Sequence, residues 1–130
     1  MSLKEFHKKC FACGRYSENG LKLEFKLIDN HTLFGKFKIQ KKYQGYDNKT
    51  HGGIIGTILV SGMINLFYLK NNLELKTAKL NIRFRKPIPT EKSIIITAVA
   101  DNNVHHFYKA NAEIKINNTV YAEAEGYFRK

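Results

Sequence analysis

The uncharged run from Gly52 to Leu69 limits the possible folds of this chain more than any other stretch. About 18 such residues is the length at which a transmembrane helix has to be considered. Here, glycines, a threonine, a serine and an asparagine interrupt the apolar side chains. A helix enclosed by a sheet is also apolar on nearly every side. We therefore predict a buried core helix from about Gly53 to Leu69, and no membrane span.

The sequence on either side of this helix alternates between apolar and polar residues, which is the period of a strand with one wet face. Two strands precede the helix and four follow it, with connections short enough for antiparallel pairing. This order predicts an α+β domain in which the sheet curls around the helix. Its exposed strand edges favour an oligomer. The predicted strands are 21–27, 33–39, 78–85, 93–100, 107–116 and 119–128, with turns at 29–32, 101–104 and 117–118.

The length of 130 residues and the hydrophobic content of 43% predict one globular domain spanning 1–130. The formal net charge of +11 favours an anionic partner, such as nucleic acid, a membrane surface or a phosphorylated small molecule. Most of the excess charge is scattered lysine, which is typical of a solvated surface. A nucleic-acid module more often clusters its basic residues among aromatics. Nucleic-acid binding is therefore the weaker interpretation of the charge.

The two cysteines, Cys10 and Cys13, bear on both compartment and metal binding. The N-terminus lacks the apolar run of a secretory signal, so we expect a reducing, cytoplasmic setting. His7 lies three residues before Cys10 and completes a partial zinc pattern. A structural zinc site needs four ligands and the chain has no second cysteine pair. We predict no metal site, and expect this segment to pack against the first strand.

The stretch THGGIIG at the predicted helix entrance is the strongest candidate for chemistry. Two glycines, Gly52 and Gly53, leave backbone N–H groups at the positive end of the helix dipole with no side chain in the way. Such a site can bind a phosphate or polarise a carbonyl oxygen. Alternatively, the glycines only form a tight turn and His51 only caps the helix. The spacing does not separate these interpretations.

Five stretches, taken together, resemble the hotdog-fold acyl-CoA thioesterases of the PaaI-like branch. They are CFACG from Cys10, NGLKLEF from Asn19, YQGYDNKTHGGIIGTIL from Tyr43, TAKLNIRFRKPIP from Thr77 and YAEAEGYF from Tyr121. The resemblance implies a hotdog fold, a curved antiparallel sheet of about six strands around one long central helix. It also implies a homodimer or a dimer of dimers, with acyl-CoA at the subunit interface. Coenzyme A would be part of the substrate, and no other cofactor is implied.

The resemblance also assigns roles around the helix entrance. It implies that the N–H near Gly53 holds the thioester carbonyl and that His51 supports the loop. A carboxylate nine residues after the histidine would attack the carbonyl or activate water, but this chain has Val60 there. Valine is neither a nucleophile nor a base. Nine helical residues span about 13 Å, so the two halves of such a site must come from different subunits.

Three residues are candidates to replace the missing carboxylate. Asp47 lies in the loop before His51 and could reach the thioester directly or through water, although aspartate is also common in turns. Ser61 could orient water, but one helix step turns it by about 100° from Val60. Thr77 matches a family position that often holds a hydroxyl, although threonine is also an ordinary strand residue.

Basic residues at the end of the third strand are the candidates for binding the phosphates of coenzyme A. Arg83, Arg85 and Lys86 precede a proline turn, and guanidinium forks match phosphate geometry. The alternative is a solvated strand face, and Arg129 and Lys130 are weaker candidates. The sequence thus predicts a thioesterase-like protein that binds acyl-CoA or acyl-carrier thioesters at a subunit interface, with their hydrolysis as one of two open outcomes. The alternative is a non-catalytic acyl-CoA binding or sensing protein, favoured by Val60.

Overall fold

A computed structural model describes residues 7–101 and 106–130, in which one antiparallel sheet of six strands curves around one long helix. The sheet order is β1-β2-β4-β5-β6-β3, so β1 and β3 are its edges. This is the α+β architecture that the sequence predicts. The elements are β1 (Lys26–Leu27), β2 (Thr32–Lys38), a short 3-10 helix (Lys41–Tyr43), α1 (Gly52–Asn71), β3 (Lys76–Phe84), β4 (Ser93–Ala100), β5 (Tyr108–Ile116) and β6 (Thr119–Arg129).

Helix α1 forms the centre of the core and slightly exceeds its predicted bounds. Ile58, Leu59, Met63 and Leu66 are fully enclosed. The helix ends because Asn72 adopts the left-handed conformation, with φ of 55°, and its N–H bonds back to the last turn. By length and composition, with a mean hydropathy of 1.7, α1 could cross a membrane. In this structure the sheet covers most of it, so it is a core helix.

The first predicted strand is much shorter than its alternating pattern indicates. Leu21 and Leu23 are buried as expected, yet the assigned strand covers only Lys26–Leu27. The N–H groups of the two leucines donate to the carbonyls of Phe11 and Ala12, both at 2.8 Å. The CFACG segment therefore takes the place of a neighbouring strand. This packing is the one that we expected for the segment.

The connections follow turn chemistry that is visible in the sequence. Asn117 and Asn118 both have positive φ, as a two-residue hairpin turn between β5 and β6 requires. In the turn over 29–32, a carboxylate oxygen of Asp29 accepts from the N–H groups of His31 and Thr32. The predicted turn over 101–104 lies largely outside the described residues.

The sheet leaves one side of helix α1 partly uncovered. Four half-buried residues, spaced three or four apart, lie within about a third of the helix circumference. We call this set the open stripe; it consists of Ile54, Thr57, Val60 and Ile64. The edge strand β3 is also largely exposed along its length. The stripe and this edge are thus the two incompletely covered surfaces near the helix entrance.

Candidate active site at the helix entrance

The loop before helix α1 is held in place by backbone hydrogen bonds on both sides. The Gly45 N–H donates to the Lys49 carbonyl at 2.8 Å, and the Thr50 N–H donates to the Ile88 carbonyl at 2.8 Å. Gly45 lies against His51, the residue before the helix, since a Cβ on Gly45 would be 3.2 Å from the Cα of His51. The helix entrance therefore has a fixed position relative to the loop and to the segment before β4.

His51 caps the helix and uses the amide that the sequence predicts to be free. Its Nδ1 accepts the Gly53 N–H at 2.9 Å, so in the neutral ring the proton is on Nε2. The His51 carbonyl accepts the next two amides, from Ile54 and Ile55, at 2.9 and 3.1 Å. The prediction that the Gly53 N–H faces a ligand is therefore wrong for this structure. Capping satisfies it internally.

The amide of Gly52 is the one left open. Across residues 7–101 and 106–130 its N–H has no hydrogen-bond acceptor, and the residue is exposed. A Cβ on Gly52 would lie 3.8 Å from the ring of Phe84, which is itself 54% exposed. The donor at the positive end of the helix thus lies next to an apolar wall. Sequence reasoning missed this detail because it depends on which amide His51 caps.

The middle of helix α1 lacks an acid. Val60 lies on the open stripe, and the residues from Gly52 to Asn71 include no aspartate or glutamate. Ser61 is only 7% exposed, and its carbonyl accepts the side-chain N–H of Asn65 at 2.7 Å. The predicted role of Ser61 in orienting water is therefore contradicted by its burial. The structure adds a hydroxyl that we did not predict, Thr57 on the open stripe, which donates to the Gly53 carbonyl at 2.9 Å.

Asp47 occupies a turn, which was the alternative interpretation of this residue. The Lys49 N–H donates to the Tyr46 carbonyl at 2.9 Å, and Asn48 has a positive φ of 61°. Asp47 is therefore the second residue of a four-residue turn. Its carboxylate is exposed, and within the described chain no hydrogen bond joins it to His51.

Thr77 lies at the far end of β3 from the helix entrance. Phe84 of the same strand is next to Gly52, and seven strand residues span about 23 Å. Thr77 is exposed and pairs with Phe128 of β6. A single protomer therefore does not bring Thr77 to the Gly52 amide. Only a second copy of the chain could place it there.

The three predicted phosphate-binding residues lie toward the outer face of the sheet, away from the helix. Arg85 makes a two-point ion pair with Glu123, at 3.0 and 2.9 Å, and this hydrogen bonding holds the pKa of Glu123 below its ordinary value. The Arg85 fork is therefore not free for a phosphate. The Lys86 ammonium lies 5.6 Å from the centre of the Tyr121 ring.

Arg83 lines a groove of about 750 Å³ on this outer face. Three glutamates share the lining, so the carboxylates outnumber the arginine and disfavour a phosphate. The groove is consequently not the predicted coenzyme A site. Its charged and amide-bearing residues are Asn81, Arg83, Asn111, Glu113, Glu123 and Glu125.

No protein-family model and no curated protein sequence matches this chain. Among solved structures, a thioesterase superfamily protein superimposes with a TM-score of 0.80 at 18% identity, over 90% of this chain and 61% of that protein. Zebrafish thioesterase superfamily member 2 gives 0.77 at 14% identity, over 95% of this chain and 92% of its own. The chain has the hotdog fold.

A third structure, the Escherichia coli PaaI protein from the phenylacetic acid degradation operon, has the same fold. It gives a TM-score of 0.74 at 14% identity, over 85% of this chain and 84% of its own. At such identities the likeness concerns the hotdog fold alone, and the chain spans 61% of the length of the first structure above. The chemistry of this hotdog domain therefore depends on its own residues.

A second cluster of reactive side chains lies at the N-terminal segment of the hotdog domain. The Sγ of Cys13 is 3.2 Å from Nδ1 of His7, and the three candidate ligand atoms of His7, Cys10 and Cys13 lie within 4.8 Å of one another. Burial lowers the pKa of His7. Burial, together with the nearby Cys10, raises the pKa of Cys13 to about 12. The sequence placed these residues in one motif but did not show that their side chains converge.

Proposed function

We propose that this protein binds acyl-CoA or acyl-carrier thioesters at an interface between two copies of the chain and hydrolyses them slowly. The observation that carries the proposal is the exposed Gly52 N–H, without an acceptor among the described residues, at the start of a 20-residue helix. The helix dipole makes this a favourable place for a carbonyl oxygen that becomes negative. The adjacent Phe84 ring is suited to the apolar part of an acyl thioester.

The shape of the monomer supports binding between two copies. The open stripe of α1 and the exposed edge β3 both need covering. A second copy packed against them would bury the apolar stripe and bring its own β3 toward the Gly52 amide of the first. We therefore propose a homodimer, or a dimer of such dimers, in which each site uses residues from both protomers.

Hydrolysis in this site would rest on positioning more than on acid–base chemistry. Water attacks the thioester carbon, the oxyanion is stabilised by the Gly52 N–H, and the carbon–sulfur bond breaks to release the acid and the thiol. Val60 supplies no base to take the proton of the water. Asp47 in its turn, Thr57 on the open stripe and Thr77 of the second copy are the residues left to position this water. A slow reaction is the expected result.

A second candidate function is binding without turnover, as in a sensor or a buffer of acyl-CoA. The apolar Val60 on the open stripe favours it, because the place of a catalytic carboxylate holds a side chain that can only pack. The two candidates share the Gly52 amide and differ only in whether product forms.

Removing the amide hydrogen of Gly52 tests both candidate functions. Gly52 is the first residue of the helix, where proline is well tolerated, and His51 before it is already extended, with φ of −60° and ψ of 136°. Gly52→Pro therefore removes the free N–H while keeping the helix. Gly52→Ala is the matched control, because it retains the N–H and its Cβ makes only an ordinary contact with Phe84.

The measurement is thiol release from short, medium and aromatic acyl-CoAs, together with thermal unfolding in their presence. Slow release that Gly52→Ala keeps and Gly52→Pro loses supports hydrolysis. A shift in unfolding without release, lost in Gly52→Pro, supports the binding function. Neither release nor a shift, or tight binding to RNA or DNA with a steep salt dependence, would overturn both.

A further inference from the structure

The cluster of His7, Cys10 and Cys13 is separate from the helix entrance, and nothing in the proposed function uses it. We propose that it is a binding site for a soft or borderline transition-metal ion of the Zn²⁺ type. Two thiolates and one imidazole are the donor set that such ions prefer, and oxygen-seeking ions such as Mg²⁺ do not. This reverses our expectation from sequence, which rested on the lack of a fourth cysteine or histidine.

The backbone of the segment brings the three side chains together. The Cys10 N–H donates to the His7 carbonyl at 2.9 Å, and the Gly14 N–H donates to the Cys10 carbonyl at 2.7 Å. These successive turns place every third residue on one side. The curl depends on Gly14, because a Cβ there would lie 2.6 Å from the His7 carbonyl oxygen and 2.4 Å from the Cys10 nitrogen. The convergence is therefore built into the backbone.

The distances are close to those of a metal centre. Zinc–sulfur and zinc–nitrogen bonds of about 2.3 and 2.0 Å in a tetrahedron give edges of about 3.5 Å between nitrogen and sulfur and about 3.8 Å between sulfurs. Here Nδ1 of His7 is 3.2 Å from Sγ of Cys13, and all three ligand atoms lie within 4.8 Å. Small side-chain rotations are enough to reach the ideal edges.

The surroundings of the cluster supply the outer contacts that orient metal ligands. The His7 ring packs edge-on against Tyr68 of helix α1, with 5.5 Å between ring centres. Asn65 of the same helix is fully buried and directs its side-chain N–H to Cys13 Sγ at 3.7 Å. This donor favours the thiolate form at the sulfur and so opposes the effect of burial.

The fourth position belongs to water. Three protein ligands and one open position are a common zinc arrangement, and both cysteines are only partly buried. The Asn65 side-chain oxygen is buried and accepts no hydrogen bond from residues 7–101 and 106–130. It is bonded to the same carbon as the nitrogen that contacts Cys13, and a metal-bound water is the donor that would satisfy it.

Binding involves no redox change. Two sulfur–metal bonds form as the two thiols release their protons to solvent, and the imidazole binds through its lone pair. The ion would join the N-terminal segment to the middle and end of helix α1, through Asn65 and Tyr68. Because the folded chain holds the three ligand atoms together, it should bind the metal more tightly than the unfolded chain does, and the metal should stabilise the fold.

Titration of the full-length, reduced, metal-free protein with Co²⁺ and then Zn²⁺ tests the proposal. We expect one equivalent of Co²⁺ to give thiolate-to-cobalt charge transfer and the intense visible bands of tetrahedral cobalt, and Zn²⁺ to displace it. The unfolding midpoint should rise by about 5–10 °C at a Zn²⁺ concentration a hundred times the dissociation constant. A chelator should reverse the rise.

Variants identify the ligands. His7→Gln, Cys10→Ser and Cys13→Ser should each weaken Co²⁺ binding by more than about 100-fold, whereas Asn65→Ser should weaken it by about 10–100-fold. His31→Gln, at an exposed histidine in the 29–32 turn, is the matched control and should bind as the parent does. Cys10→Ser should damage folding least, because His7 and Cys13 also contact helix α1, and circular dichroism checks the fold.

Three results would overturn the site. The first is no metal uptake by the reduced protein. The second is undiminished uptake in folded Cys10→Ser. The third is a Cys10–Cys13 disulfide that persists in the presence of a thiol reductant, seen as the loss of two hydrogens in the intact mass.

Discussion

The entrance and the middle of helix α1 differ in how well they suit the proposed thioester site. The entrance has an exposed backbone donor at Gly52, a capping histidine and an aromatic wall. The middle has Val60 on the open stripe and no carboxylate. A backbone donor needs only the turn geometry and a small residue, so it survives many sequence changes. A general base needs one particular side chain, so a single substitution removes it.

The largest expected effect comes from introducing a carboxylate in the middle of helix α1. Val60→Asp should increase acyl-CoA hydrolysis by about 10²–10⁴-fold, the usual contribution of a general base. The half-buried position can accommodate the charge because it lies on the open stripe. Initial rates of thiol release, at equal protein concentration, measure the effect. Val60→Asn matches the shape without the base and should show no gain. A folded, dimeric Val60→Asp with parental rates would disprove the geometry proposed here.

The second largest effect is expected from removing the Gly52 N–H at the helix entrance. It is best measured in a variant that hydrolyses acyl-CoA rapidly. In the Val60→Asp background, Gly52→Pro should reduce kcat by about 10²–10³-fold, as expected for loss of one oxyanion donor. Gly52→Ala in the same background should keep most of the rate. Equal rates in the two double variants would show that the Gly52 amide does not touch the reacting carbonyl.

A smaller effect is expected at the cap. His51→Ala should reduce the free energy of unfolding by about 1 kcal/mol, because the Gly53 N–H loses its acceptor. His51→Asn supplies another cap and should recover most of the stability. Urea unfolding measures both. If activity falls in His51→Ala and recovers with stability in His51→Asn, His51 positions the loop. If His51→Asn is stable but inactive, the imidazole itself contacts the substrate.

The sequence predicted the fold well because the signals for the fold are local. Alternation, turn asparagines and one long uncharged run are each read within a few residues, and β4 has the predicted bounds. The error at Leu21 and Leu23 arose because a strand pattern does not reveal its hydrogen-bond partner, here the CFACG segment. Assignment of the donor to Gly53 failed for a related reason. A histidine can either support a loop or occupy the amide beside it, and only the side-chain rotamer separates the two.

The predicted role of Arg85 in phosphate binding conflicts with a side-chain pairing of longer range. The pairing of Arg85 with Glu123 depends on the register of β3 with β6, and the sequence does not show this register because the two residues are 38 positions apart. The metal-site prediction rested on counting ligands in the sequence. Asn65, the helix residue that contacts Cys13, lies 52 residues from it in the sequence, and no spacing rule includes it.

The smallest effect on acyl-CoA binding is expected at the Arg85–Glu123 pair. This pair lies on the outer face of the sheet, away from the helix entrance. Because its fork is occupied, Arg85→Ala should change acyl-CoA binding by less than about twofold, as expected for an exposed ion pair. The pair should instead affect acid stability. Since the pKa of Glu123 is lower folded than its ordinary value of 4.5, the carboxylate stabilises the fold above pH 4.5, and this is lost as pH falls through the folded pKa. Acid titrations of the parent and Glu123→Gln should therefore differ above that range and converge below it. A large loss of coenzyme A binding in Arg85→Ala would instead mean that the ligand displaces Glu123, and the phosphate site would return to this end of β3.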